Sequence, residues 1–161
     1  INGSIFWDDY SPAGYIKTDN RTISKRHMNL GDKGYFVQYQ NGDIDIVKKI
    51  PKRNNYRVAI ESYPLIKLDG KFQPLRQATP AFRSMLAIDS LKNLFFITTK
   101  NNLIFNRAVD FKDLKEFLQT QDYTDVLNLD GGKSTSIYVK GELYQKGYRK
   151  IPNALVLEKN M

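Results

Sequence analysis

Cysteine is absent from this chain, which excludes disulfides, thiolate-held metal centres and a cysteine nucleophile. Histidine is nearly absent, with His27 standing alone. A centre built from several histidines is therefore excluded, and a Ser-His-Asp triad would have to use that one residue. His27 sits in a basic stretch and reads as a surface residue. No apolar run approaches the length of a membrane-spanning helix, and no charged-then-apolar leader is visible. Chemistry must fall to carboxylates, Arg, Lys, hydroxyls, Tyr or backbone donors.

Acidic side chains are also the scarcer charge. Against 25 Lys and Arg stand 17 Asp and Glu, a net charge of +8, which attracts anionic partners such as phosphodiesters, acidic glycans or anionic surfaces. Two basic clusters are visible: Lys25-Arg26-His27, and Lys48, Lys49, Lys52 and Arg53 around Ile50-Pro51. Neither is interleaved with aromatic residues as a single-strand nucleic-acid platform requires, so both read as solvated faces and nucleic acid is not the expected partner.

What is present is apolar and β-forming. With 41% hydrophobic and 12% aromatic residues over 161 positions, the chain suits one globular domain with a sizeable core. Short runs rich in Val, Ile, Tyr and Phe, split by Gly, Pro, Asn and Asp, favour strands. Ile1 to Trp7 reads as a strand broken at Asn2-Gly3, and Gly14 to Thr18 as the next. Tyr35 to Tyr39 and Ile44 to Val47 flank an Asn41-Gly42 hairpin signal. Further strands are expected at Tyr56 to Ile60, Leu65 to Leu68, Met85 to Ile88, Leu94 to Thr98 and, closing the chain, Ala154 to Leu157. One helix is predicted: Asp110 is its N-cap, and Phe111, Leu114, Phe117 and Leu118 recur at helical spacing as a core face. It precedes the strand Val126 to Leu129, which it should deliver to the centre of a sheet.

The densest chemistry follows that strand. Asp130-Gly-Gly-Lys-Ser-Thr135 joins two β-type segments, the second being Ser136 to Val139. Consecutive glycines let backbone N–H groups converge and let an anionic or sugar oxygen approach the main chain. A tight hairpin whose Asp bonds only to its own turn is the competing reading. A nucleotide-binding P-loop is not: that motif needs a glycine where Leu127 stands and a helix where Ser136-Ile-Tyr-Val139 follows.

Asn128-Leu-Asp-Gly-Gly-x-Ser-Thr135 followed by a short strand, then Arg149-x-x-Pro152-Asn153-Ala154, resembles the C-terminal signature of the phosphodiester glycosidase family. Ile1-Asn-Gly-Ser-Ile-Phe-Trp7 with Ser11-Pro-Ala-Gly-Tyr15 is similar to its early segment. Glu61-Ser-Tyr-Pro-Leu65, Asp69-Gly-Lys71 and Phe82-Arg-Ser84 are similar to its middle. The pieces occur in the family's order along nearly the whole chain, although Lys133 stands where many members have glycine. The resemblance implies an α+β fold over residues 1–161: one strand-rich domain with a mixed central sheet and one or two packed helices. It also implies that a leader or first strands precede Ile1.

Implied too is a hydrolase of sugar 1-phosphodiesters in a glycoconjugate or cell-envelope polymer, acting outside the cytoplasm in a bacterium. The alternative is a noncatalytic module that binds an anionic glycan. Arg83 would clamp phosphate, with Gly131, Gly132 and Ser134 as further donors. Asp130 and Glu61 would act at the anomeric carbon. Asn2, Gly3, Ser62, Arg149 and Asn153 would contact substrate. No cofactor is expected; a divalent cation on Asp130 and nearby oxygens stays open, without a spaced carboxylate motif to favour it.

Overall fold

The computed structural model describes residues 1–19, 21–52, 55–75, 79–99 and 108–158; Arg53 of the second basic cluster lies outside them. Five strands, β1 (Ile16–Thr18), β2 (Arg21–Ser24), β3 (Gly34–Tyr39), β4 (Ile44–Val47) and β5 (Tyr56–Ser62), form one sheet in the order β2-β1-β5-β3-β4. A second sheet holds β6 (Leu65–Leu68), β7 (Lys71–Phe72), β8 (Ser84–Asp89), β9 (Leu94–Thr98) and β10 (Tyr123–Asn128) in the order β7-β6-β10-β8-β9. The helix α1 (Phe111–Gln119) precedes β10, and a small hairpin, β11 (Ile137–Val139) with β12 (Glu142–Gln145), follows it.

Alternation along the strands sorts the core into layers. Phe36, Ile46 and Ile60 of the first sheet pack on Leu65, Leu86, Ile88 and Leu127 of the second. The residues between them in sequence, Ile66, Met85, Ala87 and Val126, face the other way and meet Leu114 and Leu118 of α1. The second sheet is thus covered on both faces, which is why β8 reads as an unbroken apolar run and not as an alternation. On the outer face of the first sheet, Tyr35, Val37, Tyr56 and Ala59 form a smaller aromatic cluster. Asp110 caps α1 by accepting from the Asp113 N–H at 2.8 Å, as its position predicts.

The fold is α+β, with β10 at the centre of its sheet as expected. It differs from the expectation in four places. Every strand pairing among the described residues is antiparallel, so two antiparallel sheets replace one mixed sheet. Ile1 to Trp7 is no strand. Asn2 makes a single bridge to Ala154 and Phe6 one to Pro12, because the polar side chains of this segment bind inward. Ala154 to Leu157 likewise makes only that bridge, with Val156 and Leu157 exposed. Phe117 is 47% exposed and only Leu114 and Leu118 of α1 are buried; a nine-residue helix lying on one face of a sheet buries a narrow stripe.

Leu118 is fully buried whereas Phe117 looks outward. Leu118→Ala should therefore cost about 2–5 kcal/mol and Phe117→Ala almost nothing, read as the shift of the urea midpoint at constant slope.

Candidate active site

At the C-terminal end of β10, next to the first residue of α1, the structure has an opening. The opening is a groove of about 270 Å³ lined by Ile5, Tyr63, Pro64, Arg83, Phe111, Asn128, Leu129, Asp130, Gly131 and Gly132. Strand periodicity puts Asn128 and Asp130 on the same side, that of Val126 and the helix, while Leu127 and Leu129 point between the sheets.

Three buried polar atoms of this lining have no hydrogen-bond partner among the described residues: Arg83 Nε, Asn128 Oδ1 and Asp130 Oδ2. Native interiors rarely leave such groups unmatched, and a cluster of them facing one groove marks the place where a ligand supplies the bonds. Ser62 Oγ and Thr135 Oγ1 are also unmatched, but neither residue lines the groove.

Arg83 precedes β8. Its guanidinium lies 4.4 Å from the centroid of Phe111 and donates one bond to the Thr79 carbonyl at 3.0 Å. Burial lowers its pKa, opposed by the negative charge of Asp110; an arginine remains cationic regardless. The planar fork lies over the ring, with its Nε unpartnered among the described residues.

Burial raises the pKa of Asp130 above the ordinary 3.8, and the Ser134 hydroxyl, the Gly131 N–H and the charge of Arg149 pull in the other direction. The main chain at Asp130 is fixed by two bonds from the N-terminal segment: its N–H donates to Gly3 O at 2.9 Å, and its carbonyl accepts from Asn2 Nδ2. Gly131 is required by a close approach, since a Cβ there would stand 2.6 Å from the Phe82 carbonyl. Gly132 is required by conformation, with φ +59°. The turn ends in a single 3-10 turn, Gly132–Ser134.

The two glycines do not form the expected anion cradle. Gly132 N–H donates to Phe82 O at 2.7 Å, and Gly131 N–H supports the Asp130 carboxylate. Asn2, Gly3 and Asn153 are engaged within the protein as well. Asn2 is 1% exposed, and its Oδ1 accepts from Ser84 Oγ at 2.7 Å and Ser136 N at 3.1 Å. Asn153 Oδ1 accepts from Ser4 N at 2.7 Å, and its carbonyl accepts from Gly3 N at 3.0 Å. These residues position the loop of Asp130 and do not line the groove.

Glu61 is placed differently from Asp130. It is 0% exposed and does not line the groove. Its Oε1 accepts from Met28 N at 2.8 Å and Lys33 Nζ at 3.0 Å; its Oε2 accepts from Tyr15 N at 3.0 Å and meets His27 Nδ1 at 2.9 Å. Such a carboxylate is a buried strut. His27, read as a surface residue, is partly exposed but bound to this strut and stacked on Tyr15, with centroids 5.2 Å apart. Arg149 stands beside the site, over Phe6 at 4.9 Å and paired to Asp8 at 3.0 Å. The sequence reading missed Asn128, Tyr63 and Phe111 as groove residues. The alternation Asn128-Leu-Asp130 carried the signal for Asn128, whereas Phe111 looked like helix core. Among the described residues no three His, Asp or Glu side chains converge as metal ligands, and no helix is long and apolar enough to cross a membrane.

Fold and groove together define an antiparallel α+β protein in which a carboxylate and a half-buried arginine line one groove at a sheet end. The phosphodiester glycosidase family model matches residues 1–158, and the chain belongs to that family. Among solved structures it is similar to the zebrafish N-acetylglucosamine-1-phosphodiester alpha-N-acetylglucosaminidase catalytic domain auto-inhibited by its pro-peptide, at 16% identity and TM-score 0.65, over 89% of this chain and 54% of that one. It is also similar to a hypothetical protein from Synechocystis, at 14% identity and TM-score 0.67, over 91% of this chain and 48% of that one. The chain thus spans about half the length of these structures. No curated protein sequence matches it.

Because the folded protein favours neutral Asp130, the stability tied to that preference is complete below the ordinary carboxylate value of 3.8. It is lost as pH rises through the higher folded value. Asp130→Asn should therefore melt higher than the wild type near neutral pH, and the difference should vanish below the ordinary value; thermal unfolding at the two pH values checks this.

Proposed function

We propose that the chain hydrolyses a sugar 1-phosphodiester by breaking the bond between the anomeric carbon and the bridging oxygen. The observation that carries this is the pairing in one groove of an unmatched buried guanidinium edge, Arg83 Nε, with an unmatched buried carboxylate oxygen, Asp130 Oδ2. A phosphodiester offers its non-bridging oxygens to the first and an electrophilic anomeric carbon to the second.

In this reading Arg83 holds the phosphate, its plane fixed by Phe111. Asp130 takes a proton from a water that attacks the anomeric carbon. The carbon–oxygen bond breaks, its electron pair leaves on the phosphate, and the products are the free sugar and a phosphate monoester. Phosphate is a good leaving group, so a second carboxylate acting as acid is unnecessary, which agrees with Glu61 being occupied elsewhere. The raised pKa of Asp130 makes it a stronger base than an ordinary aspartate once ionised. Its Oδ2 is free for the water, and Asn128 Oδ1 is placed to accept from a sugar hydroxyl. The proposal extends to a glycoconjugate or cell-envelope polymer as substrate and to an extracytoplasmic, bacterial setting.

A panel of sugar 1-phosphodiesters that includes the N-acetylglucosamine diester tests this. Wild type should release free sugar, with an acid limb of kcat/KM displaced above the ordinary aspartate value. Asp130→Asn should lose about 10²–10⁴ of that rate, the size of a general-base contribution, while still folded by circular dichroism. Arg83→Ala should lose both affinity and rate. Binding without turnover in wild type and Asp130→Asn alike would point to the noncatalytic glycan-binding module.

A further inference from the structure

Arg83 is one of two arginines near Asp130 whose guanidinium lies on a phenylalanine. The other, Arg149, stands 4.9 Å from the Phe6 centroid and 6.0 Å from that of Tyr10; the two rings stack on each other at 5.8 Å and 17°. Tyr10 sits at φ 65° within the Trp7–Ser11 turn, where its N–H donates to Trp7 O at 2.9 Å and the Trp7 N–H donates to Ser11 O at 2.9 Å. The backbone of Arg149 is fastened to the turn after Asp130, since Arg149 N and Tyr148 N donate to Lys133 O at 3.1 and 2.7 Å.

The two arginines reach Asp130 from different segments. Arg83 lies beside Gly131, its Cα 3.6 Å from where a Gly131 Cβ would stand, whereas Arg149 approaches through Lys133 and its charge acts on the Asp130 carboxyl. Arg83 is half-buried and lines the groove. Arg149 does not line the groove; one of its guanidinium nitrogens is taken by Asp8, whose side chain is fully exposed. An exposed carboxylate held by a single contact is a weak and displaceable partner, and it marks where a stronger, bidentate anion would sit. Around it Trp7, Tyr10 and Tyr148 are exposed, offering rings to the apolar faces of sugars.

A single phosphodiester needs one such clamp. We propose that Arg149, on its Phe6–Tyr10 stack, is a second phosphate subsite, and that the substrate is a linear glycan whose sugars are joined by repeating phosphodiesters. The scissile phosphate lies on Arg83 and the neighbouring one on Arg149. This rests on the phosphodiester reading of the groove. It adds a chain-length preference and a role for Asp8, which occupies the second subsite until substrate displaces it.

The test uses capped oligomers of the sugar 1-phosphate cleaved in the panel above, carrying one, two or four phosphodiesters, with kcat/KM expressed per scissile bond. For wild type the two- and four-unit oligomers should exceed the one-unit substrate by about tenfold, the worth of one charge-assisted contact. Arg149→Ala should bring that ratio to about one, and Asp8→Asn, at a fully exposed position, should raise it. A wild-type ratio near one, a ratio that survives Arg149→Ala, or one that falls in Asp8→Asn would each overturn the second subsite while leaving the phosphodiester reading intact. Should wild type cleave none of the oligomers, that reading itself fails. The affinities of Asp130→Asn for the same three oligomers then decide the subsite, a length-independent Kd removing it.

Discussion

The candidate site depends on one buried amide. Asn2 is almost inaccessible, and it joins three distant parts of the chain: its Oδ1 accepts from Ser84 at the start of β8 and from the main chain at Ser136, and its Nδ2 donates to the Asp130 carbonyl. A buried amide with every polar atom matched specifies one arrangement, because each alternative leaves a donor or acceptor unpaired. The first residues of the chain thereby fix the height and direction of the turn that carries Asp130. Gly3 and Asn153 extend the same tie, and Glu61 supports it from the first sheet through its carbonyl, which accepts from Ser4 Oγ.

That tie explains how a carboxylate is kept at a sheet end with an oxygen unmatched. Desolvation raises the Asp130 pKa, and Arg83 Nε is buried without a partner among the described residues. The geometry around both is fixed by other bonds: Phe82 O, Gly3 O and Asn2 hold the turn from three sides, and Phe111 lies against the arginine. The two carboxylates named in the sequence reading differ in their surroundings. Glu61 has four donors around it, and Asp130 keeps one buried oxygen without a partner among the described residues.

Much of the fold was legible from periodicity and turn chemistry. The Asn41-Gly42 hairpin, the apolar run of β8, the Asp110 cap and the placement of β10 all follow from local rules. Legibility failed where tertiary bonds override local preference. Ile1 to Trp7 carries strand-forming residues, yet its Asn2 and Ser4 side chains bind inward and leave isolated bridges. The glycines at 131 and 132 announced a close approach correctly, but what approaches is the Phe82 carbonyl, which no local pattern encodes. In the same way Asn2, Gly3 and Asn153 stood out for real reasons, as parts that position the site. The role of Glu61 depends on donors from residues 15, 27, 28 and 33, and sequence spacing contains no sign of that convergence.

Which bond breaks decides whether Asp130 directs water to the anomeric carbon while Arg83 carries the departing phosphate. Hydrolysis of a sugar 1-phosphodiester in water labelled with heavy oxygen, followed by mass spectrometry of both products, should place the label in the free sugar and leave the phosphate monoester unlabelled. Label in the phosphate would mean attack at phosphorus, and would overturn the role given to Asp130 at the anomeric carbon.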